Sequence, residues 1–340
     1  LNQLFEYGVQ RVIYLPNSPI NTLDTPKSIQ SYVNAVPDDL KHDVAFAACA
    51  TIDNGIEELS EFSSLVQSGA KAIYFDRVIE NPKLFVEGLK FMNLVDCPII
   101  FGPMTSMQLS QAHLNEGITS FEIGVRGEPI SIEEKNVAYV LSMLNEHFQG
   151  AVHFLSISSV ESIRAIHQFN QSRSMNVSVG VCPYHLLITD GALLDYDVRL
   201  KFNPPLRDEK NRLGLIDALK QGLFNHFTSL HVPATGDIYP KSFYEQSFGM
   251  ETISNYLNVV SHLLIENEVS LGDYAKLVQL PDQLNLFSTQ SIIDIHQTAN
   301  FSIIRSDKNI KNECNILGVI EKSCNGGLVA SVKNGKLYKA

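Results

Sequence analysis

The sequence predicts an α/β fold, either a βα barrel or a doubly wound parallel sheet, with a smaller β-rich part at its C-terminal end. Short apolar runs alternate with longer amphipathic stretches through most of the chain. These runs are apolar at nearly every residue, which is typical of parallel strands buried on both faces. After Asn300 the pattern changes, because alternating residues and turns replace the apolar runs.

The strand candidates are Val12–Leu15, Val44–Cys49, Ala70–Phe75, Pro98–Phe101, Val152–Ile157, Val177–Cys182 and Phe227–Val232. They number seven, whereas a (β/α)8 barrel has eight strands. The chain begins at Leu1 rather than at a methionine, so we expect a segment of the natural protein upstream of it. A first strand in that segment would complete the barrel.

Two of the intervening helices carry start and stop signals. Ser158-Ser159-Val160-Glu161 matches a capping box, which predicts a helix start. The apolar residues that follow it at helical spacing are Ile163, Ile166 and Phe169. A second apolar stripe consists of Leu213, Leu215, Ile216 and Leu219. Gly222 follows that stripe where a helix cap is expected.

The C-terminal segment predicts antiparallel strands. The pair Asn334-Gly335 lies between two β-type runs, and Asn-Gly is the strongest short hairpin signal. We therefore expect a barrel over residues 1–285, lacking its first strand, and a small appended β-sandwich over residues 286–340.

Composition narrows the class of partner. The chain has 340 residues, is 44% hydrophobic and carries a net charge of −11. This acidic balance argues against nucleic acid or an anionic membrane as the main partner. No apolar run reaches the roughly 18 residues that a membrane-spanning helix needs. The five cysteines form no CxxC pair, so we expect mostly buried thiols and a cytoplasmic location.

The most distinctive motif is Lys201-Phe202-Asn203-Pro204-Pro205-Leu206-Arg207. Its two prolines forbid a regular helix or strand and predict a rigid loop. The motif resembles the NPPLR loop of dihydroorotases of the multifunctional-complex class, which are amidohydrolases. Further segments resemble the same family in the same order, namely Leu15-Pro16-Asn17-Ser18, Val181-Cys182-Pro183-Tyr184-His185, Phe248-Gly249-Met250-Glu251-Thr252 and the residues 327–338.

The resemblance implies a metal-dependent TIM barrel. Active members hydrolyse a cyclic amide in pyrimidine biosynthesis, with zinc at the carboxyl ends of the strands and an aspartate that moves the proton. The family's HxH ligands on strand 1 would lie upstream of Leu1. The remaining ligand positions, on strands 4, 5 and 6, correspond here to Ala72, Gly102 and Ser156. Leu230 stands in place of the catalytic aspartate, and Ala234 in place of a histidine that meets the substrate carboxylate.

These replacements predict a degenerate site with no catalytic residue and no bound metal. Alanine, glycine and leucine side chains offer no donor atom, and a serine hydroxyl is a poor zinc ligand. His153, His231 and Lys71 remain as metal-ligand candidates. Each also has a structural interpretation, because the two histidines lie in apolar runs and Lys71 points away from the face of Ala72.

Three residues keep types that the family uses near its substrate, namely Asn17, Asn203 and Arg207. They would bind substrate or, equally, hold their own loops together, since asparagine beside proline often bonds the backbone.

Three functions are compatible with the sequence. The leading hypothesis is a non-catalytic dihydroorotase-like protein that acts as a structural or regulatory partner of aspartate carbamoyltransferase, as degenerate relatives do. The second is an active, zinc-dependent cyclic amidohydrolase with a rearranged site. The third is a sensor that binds a dihydroorotate-like ligand. We also expect a homo-oligomer.

Overall fold

The computed structural model describes residues 2–16, 22–106, 111–172, 175, 177–232, 243–246, 248–249, 251–287, 298–307, 311–316 and 320–339. In chain order its barrel-region strands are β1 (Val12–Tyr14), β2 (Val44–Cys49), β3 (Ala72–Phe75), β4 (Ile99–Phe101), β5 (Leu114–Asn115), β6 (Gly127–Glu128), β7 (Val152–Phe154), β8 (Val177–Val181) and β9 (His226–Phe227).

A seven-stranded parallel sheet forms the centre of the molecule. Its strand order is β1-β2-β3-β4-β7-β8-β9, so that each strand lies beside the next parallel strand along the chain. The short pair β5 and β6 forms a separate two-stranded sheet. All seven strands predicted from the sequence are represented in this parallel sheet.

The helices are α1 (Asn2–Glu6), α2 (Pro26–Ala35), α3 (Phe62–Gln67), α4 (Pro82–Met92), α5 (Ile118–Glu122), α6 (Ile130–His147), α7 (Val160–Ser172), α8 (Tyr184–Leu187), α9 (Glu209–Lys220), α10 (Tyr256–Glu266) and α11 (Leu271–Leu277). Both predicted helices are confirmed as α7 and α9. Gly222 follows α9 with φ +65°, as its position at the cap required. In the described part of the chain, no helix is both long and apolar enough to cross a membrane.

One predicted strand is shorter than expected. The run Phe227–Val232 was predicted as a strand, but β9 ends at Phe227. Leu230 adopts φ +44°, a left-handed conformation that cannot continue an extended strand. The chain therefore turns at the carboxyl end of β9.

Alternating side chains give the sheet two apolar faces. On β3, Phe75 points outward and packs against Phe101 of β4 in a tilted ring pair, and the Phe101 ring in turn stacks on that of Phe154 on β7, with the ring centroids 5.4 Å apart. Ala72 and Tyr74 point the other way, into a second cluster that fills the barrel interior. Small residues on β2 and β3 leave room there for leucines from elsewhere in the chain.

Those leucines come from a segment that crosses the amino ends of the strands. Leu284 and Leu286 are buried in the interior cluster. Gln283 Nε2 donates to the carbonyl of Val152 at 3.4 Å, and the Arg11 guanidinium lies 5.5 Å from the centre of the Phe287 ring. The barrel therefore continues at least to Phe287.

The C-terminal strands are β10 (Phe301–Arg305), β11 (Lys311–Ile316), β12 (Ile320–Asn325), β13 (Gly327–Lys333) and β14 (Lys336–Lys339). They form two small antiparallel sheets, β10-β13-β14 and β11-β12. The predicted Asn-Gly hairpin joins β13 to β14, with φ +50° at Asn334 and +75° at Gly335. Positive φ at both residues is what a type I′ turn requires.

Candidate functional site

The candidate site is the barrel mouth, the edge where the carboxyl ends of the parallel strands meet. Residues at or just beyond these ends include Cys49 at the end of β2, Asp76 after β3, Gly102 after β4, Ser156 after β7 and Leu230 after β9. A TIM barrel places its catalytic groups at this edge. The side chains found there therefore decide what the site can do.

At Gly102, the predicted position of a lost histidine, the space is occupied. A Cβ atom placed on Gly102 would lie 2.6 Å from the Tyr74 hydroxyl oxygen and 2.8 Å from the carbonyl oxygen of Asp76. Real Cβ atoms do not approach other heavy atoms so closely. Tyr74 reaches this point from inside the barrel, so a neighbouring strand fills the ligand position.

Asp76 is an acidic side chain at the mouth that the sequence did not single out. Its carboxylate accepts hydrogen bonds from Tyr74 Oη and Asn54 Nδ2, each at 3.0 Å, and Arg77 Nη2 lies at 3.5 Å. Burial, reinforced by the adjacent carboxylate of Asp76, raises the pKa of Tyr74 well above its usual value. The signal that could have found Asp76 is its place directly after an apolar strand.

Ala72, the residue predicted at the strand-4 ligand position, lies deeper in the barrel than the residues of the mouth. Ala72 points into the barrel and Lys71 points away, as alternation predicted. However, Ala72 is the first residue of β3, two residues below Tyr74. Lys71 is exposed and lines a cavity of about 750 Å³ at the amino ends of the strands. Lys71 therefore lies at the opposite end of the barrel from the mouth, a position that does not support it as a metal ligand.

Ser156 and Cys49 contribute two buried groups. The Ser156 hydroxyl has no hydrogen-bond partner among the described residues. Burial, followed by the neighbouring carboxylate of Asp76, raises the pKa of the Cys49 thiol to about 12. Because zinc binds the thiolate rather than the thiol, this environment disfavours Cys49 as a ligand.

His153 lies inside the barrel rather than at its mouth. The Ser178 hydroxyl donates its hydrogen to the Val152 carbonyl at 3.0 Å, so its oxygen can only accept from His153 Nδ1, also at 3.0 Å. The proton of neutral His153 is therefore on Nδ1, and Nε2 carries a bare lone pair without a described partner.

Burial, with a smaller effect of nearby His226, lowers the pKa of His153 to about 3. The centroids of the two rings are 5.9 Å apart, and among the described residues no third potential metal ligand joins them. In fact, no group of three or more His, Cys, Asp or Glu side chains is placed to hold a metal ion within the described ranges.

Beyond β9, Leu230 packs against both the interior cluster and the outer core. Its neighbour His231 is half-buried, and burial lowers the pKa of that imidazole, while the carboxylate of Glu251 acts in the opposite direction. The predicted positions Ala234 and Asn17 lie outside the described residues.

Arg207, one of the predicted substrate-binding residues, is only 2% exposed. Its guanidinium donates to Ser158 Oγ and to Asn115 Oδ1, each at 2.9 Å. It also lies 3.4 Å from the carboxylate of Glu133, whose oxygens accept from the backbone amides of Ser158 and Ser159 at the start of α7. This geometry favours the loop-architecture interpretation of Arg207.

Asn203 is more exposed to solvent than Arg207. It is half-buried, and its Oδ1 accepts a hydrogen bond of 2.6 Å from the Thr105 hydroxyl in the loop after β4. The following peptide bond to Pro204 is cis. A substrate contact by Asn203 stays a prediction.

The same loop carries a buried lysine. Lys201 Nζ donates to the carbonyls of Phe243 at 2.9 Å and Gln246 at 2.5 Å, and it lies 4.8 Å from the centre of the Phe248 ring. Burial lowers the pKa of Lys201 to about 8. Lys201 thus fixes Phe243, Gln246 and Phe248 to the proline-rich loop, a long-range contact that sequence patterns do not reveal.

In amino-acid sequence, the chain is similar to known dihydroorotases. No family model matches it. It is 27% identical over 274 residues to a dihydroorotase of Carboxydothermus hydrogenoformans, covering 76% of this chain and 63% of that protein. It is 24% identical over 347 residues to a dihydroorotase of Endomicrobium trichonymphae, covering 97% and 80%.

Solved structures agree on the fold. An L-hydantoinase from Arthrobacter aurescens superimposes with a TM-score of 0.78 at 15% identity, covering 98% of this chain and 78% of that one. A dihydroorotase from Saccharomyces cerevisiae in complex with 5-fluoroorotic acid gives 0.62 at 11% identity, covering 96% and 91%.

The fold is therefore that of the amidohydrolase-type TIM barrels. Within that class, the curated relatives named here are dihydroorotases, and the resemblance inferred from the sequence motifs is confirmed. The aligned region spans about 63% of the length of the Carboxydothermus relative.

Proposed function

We propose that this chain is a dihydroorotase-like protein of pyrimidine biosynthesis that does not hydrolyse the cyclic amide. The observation that carries the proposal is the contact at Gly102, where the Tyr74 hydroxyl fills the predicted ligand position. Ser156 and Leu230 stand at two further positions where the resemblance implies a metal ligand and a catalytic aspartate.

The chemistry of the described donor set does not fit a zinc ion. A structural or catalytic zinc takes at least three side-chain ligands from Cys, His, Asp or Glu. At the mouth, the Asp76 carboxylate is already bonded by Tyr74 and Asn54, and burial keeps the Cys49 thiol protonated. Without a metal to lower its pKa, water stays protonated at neutral pH and is a poor nucleophile.

We further propose that the protein acts by assembling with aspartate carbamoyltransferase. Support comes from the resemblance to dihydroorotases whose degenerate members serve as partners of that enzyme. A barrel that keeps its fold while its mouth is repacked with Tyr74 and Leu230 suits such an assembly role.

The test measures metal content and turnover on the intact natural protein. We expect far less than one zinc per chain and no hydrolysis of dihydroorotate, with the Carboxydothermus dihydroorotase assayed in parallel as the active control. Turnover that chelators abolish would instead establish the active cyclic amidohydrolase. No turnover, together with a rise in melting temperature on adding dihydroorotate, would favour the ligand-binding sensor.

A further inference from the structure

A cluster of large apolar side chains is exposed around helix α5. It consists of Ile118 and Phe121 on α5 itself, Leu194 and Tyr196 beside it, and Tyr244. We call this set the α5 surface. Phe121 is 88% exposed and Ile118 is 79% exposed, which is rare for residues of this size. Contiguous apolar residues on a surface commonly mark a protein-interaction site.

The two tyrosines of the α5 surface are held in place. The Tyr196 hydroxyl donates to the carbonyl of Ile123 at 2.5 Å, and the Tyr244 hydroxyl donates to that of Gly124 at 3.0 Å. Both therefore attach to the C-terminal end of α5. The backbone of Phe243, next to Tyr244, is fixed by Lys201. Side chains ordered before binding lose little entropy on binding, so this surface is preorganised for a partner.

Charge around the α5 surface indicates which kind of partner fits. Residues 116–126 contain Glu116, Glu122 and one base, Arg126, all exposed. Asp195 is exposed beside Tyr196. The nearby Arg199 does not offset these acids, because it is paired with Asp197 at 2.6 Å. A second copy of this chain, with its net charge of −11, would bring like charges together there.

We propose that the α5 surface is the docking site for a different protein, one that presents an apolar pocket surrounded by lysine and arginine. The inference rests on the proposed partnership, so purified aspartate carbamoyltransferase of the same organism is the probe. Phe121 and Ile118 enter the pocket, while Glu122 pairs with a basic side chain at its rim.

The experiment measures the affinity of the natural protein for that enzyme by calorimetry. Phe121→Ser should weaken binding by about 30-fold or more, as expected for an aromatic residue at the centre of an interface. Glu122→Lys should weaken binding and reduce its salt dependence. Leu271→Ser is the matched control, because Leu271 is 72% exposed but lies on α11, outside the α5 surface. The affinity of this variant for the enzyme should equal that of the natural protein.

Three other outcomes are informative, and each would contradict the proposed docking site, the proposed partnership or both. Binding that Phe121→Ser leaves intact overturns the α5 surface as the docking site while the partnership stands. Absence of any complex with the natural protein overturns the partnership and the inference together. A dimer of the natural protein that Phe121→Ser dissociates in sedimentation would mean that a second copy covers the surface, which also overturns the inference.

Discussion

The hydroxyl of Tyr74 on β3 lies in the volume that a side chain at Gly102, directly after β4, would need. Their contact couples two positions of the barrel mouth. The change in unfolding free energy caused by a substitution at one position should therefore depend on the residue at the other.

We predict that Gly102→Ala lowers the free energy of unfolding by about 1–3 kcal/mol, because the added methyl group overpacks the mouth. Part of this loss should be recovered in a Tyr74→Phe background, which removes the nearer oxygen. The remainder should persist, since the Asp76 carbonyl is also only 2.8 Å away. Urea unfolding of the four proteins gives the coupling energy. An equal cost of Gly102→Ala in both backgrounds would show that the two residues do not compete for space.

The buried pair Arg207–Glu133 should matter far more than a similar pair at the surface. Removing one charge of a buried pair leaves the other uncompensated, so Arg207→Met should cost about 3–5 kcal/mol of unfolding free energy. Arg164→Met is the control, because Arg164 forms an exposed pair with Glu161 at 2.6 Å, worth at most about 1 kcal/mol. Comparable losses in the two variants would contradict the structural role assigned to Arg207.

Acid should destabilise the protein through its buried histidines. Burial lowers the pKa of His153 to about 3 and that of His185 to about 4, against an ordinary value near 6.5. Between these values and pH 6.5 the unfolded chain binds more protons than the folded chain. The stability contribution is therefore complete above pH 6.5 and is lost as the pH falls toward 3.

The measurement is the slope of unfolding free energy against pH between 6.5 and 4. His153→Leu should reduce this slope, because the replacement cannot bind a proton in either state. His42→Leu, at an exposed position, is the matched variant. If the His153 variant keeps the full slope of the natural protein, proton uptake by that imidazole does not drive acid unfolding.

Lys333 should help to attach the C-terminal sheet to the barrel. Its buried ammonium lies 2.7 Å from the Asp43 carboxylate and 3.0 Å from the carbonyl of Gln10. Lys333→Met should therefore cost about 1.5–3 kcal/mol, because Asp43 loses its nearer partner and keeps only the Arg11 guanidinium at 3.8 Å. Lys336→Met is the control, since Lys336 is exposed. Native-state proteolysis should cleave the Lys333 variant faster, and equal rates for both variants would contradict the prediction.

Local patterns predicted much of this fold. The parallel strands, the start of α7 and the hairpin at Asn334 each depend on residues close together in the chain, although the predicted capping box itself does not form, because Glu161 pairs with Arg164. The end of β9 was placed wrongly, because nothing local signals that Leu230 adopts a left-handed conformation.

The candidate site was harder to predict than the fold. Alternation correctly separated Ala72 from Lys71, but it could not say how far each lies from the mouth. Asp76 was not predicted as a site residue, because the alternation of side chains does not show which of them reach the mouth. The contacts of Tyr74 with Gly102 and of Lys201 with Phe243 join residues distant in sequence or on separate strands, which periodicity cannot reveal.

The residues near Leu284 cross the amino end of the barrel. Their late position in the chain affects how the barrel folds during synthesis. Alanines on β2 and β3 emerge from the ribosome early, but the leucines that fill the space beside them are synthesised near the end of the chain. During synthesis the inner face of the half-built sheet therefore stays unfilled, and a nascent chain stalled before Leu284 presents apolar surface to chaperones.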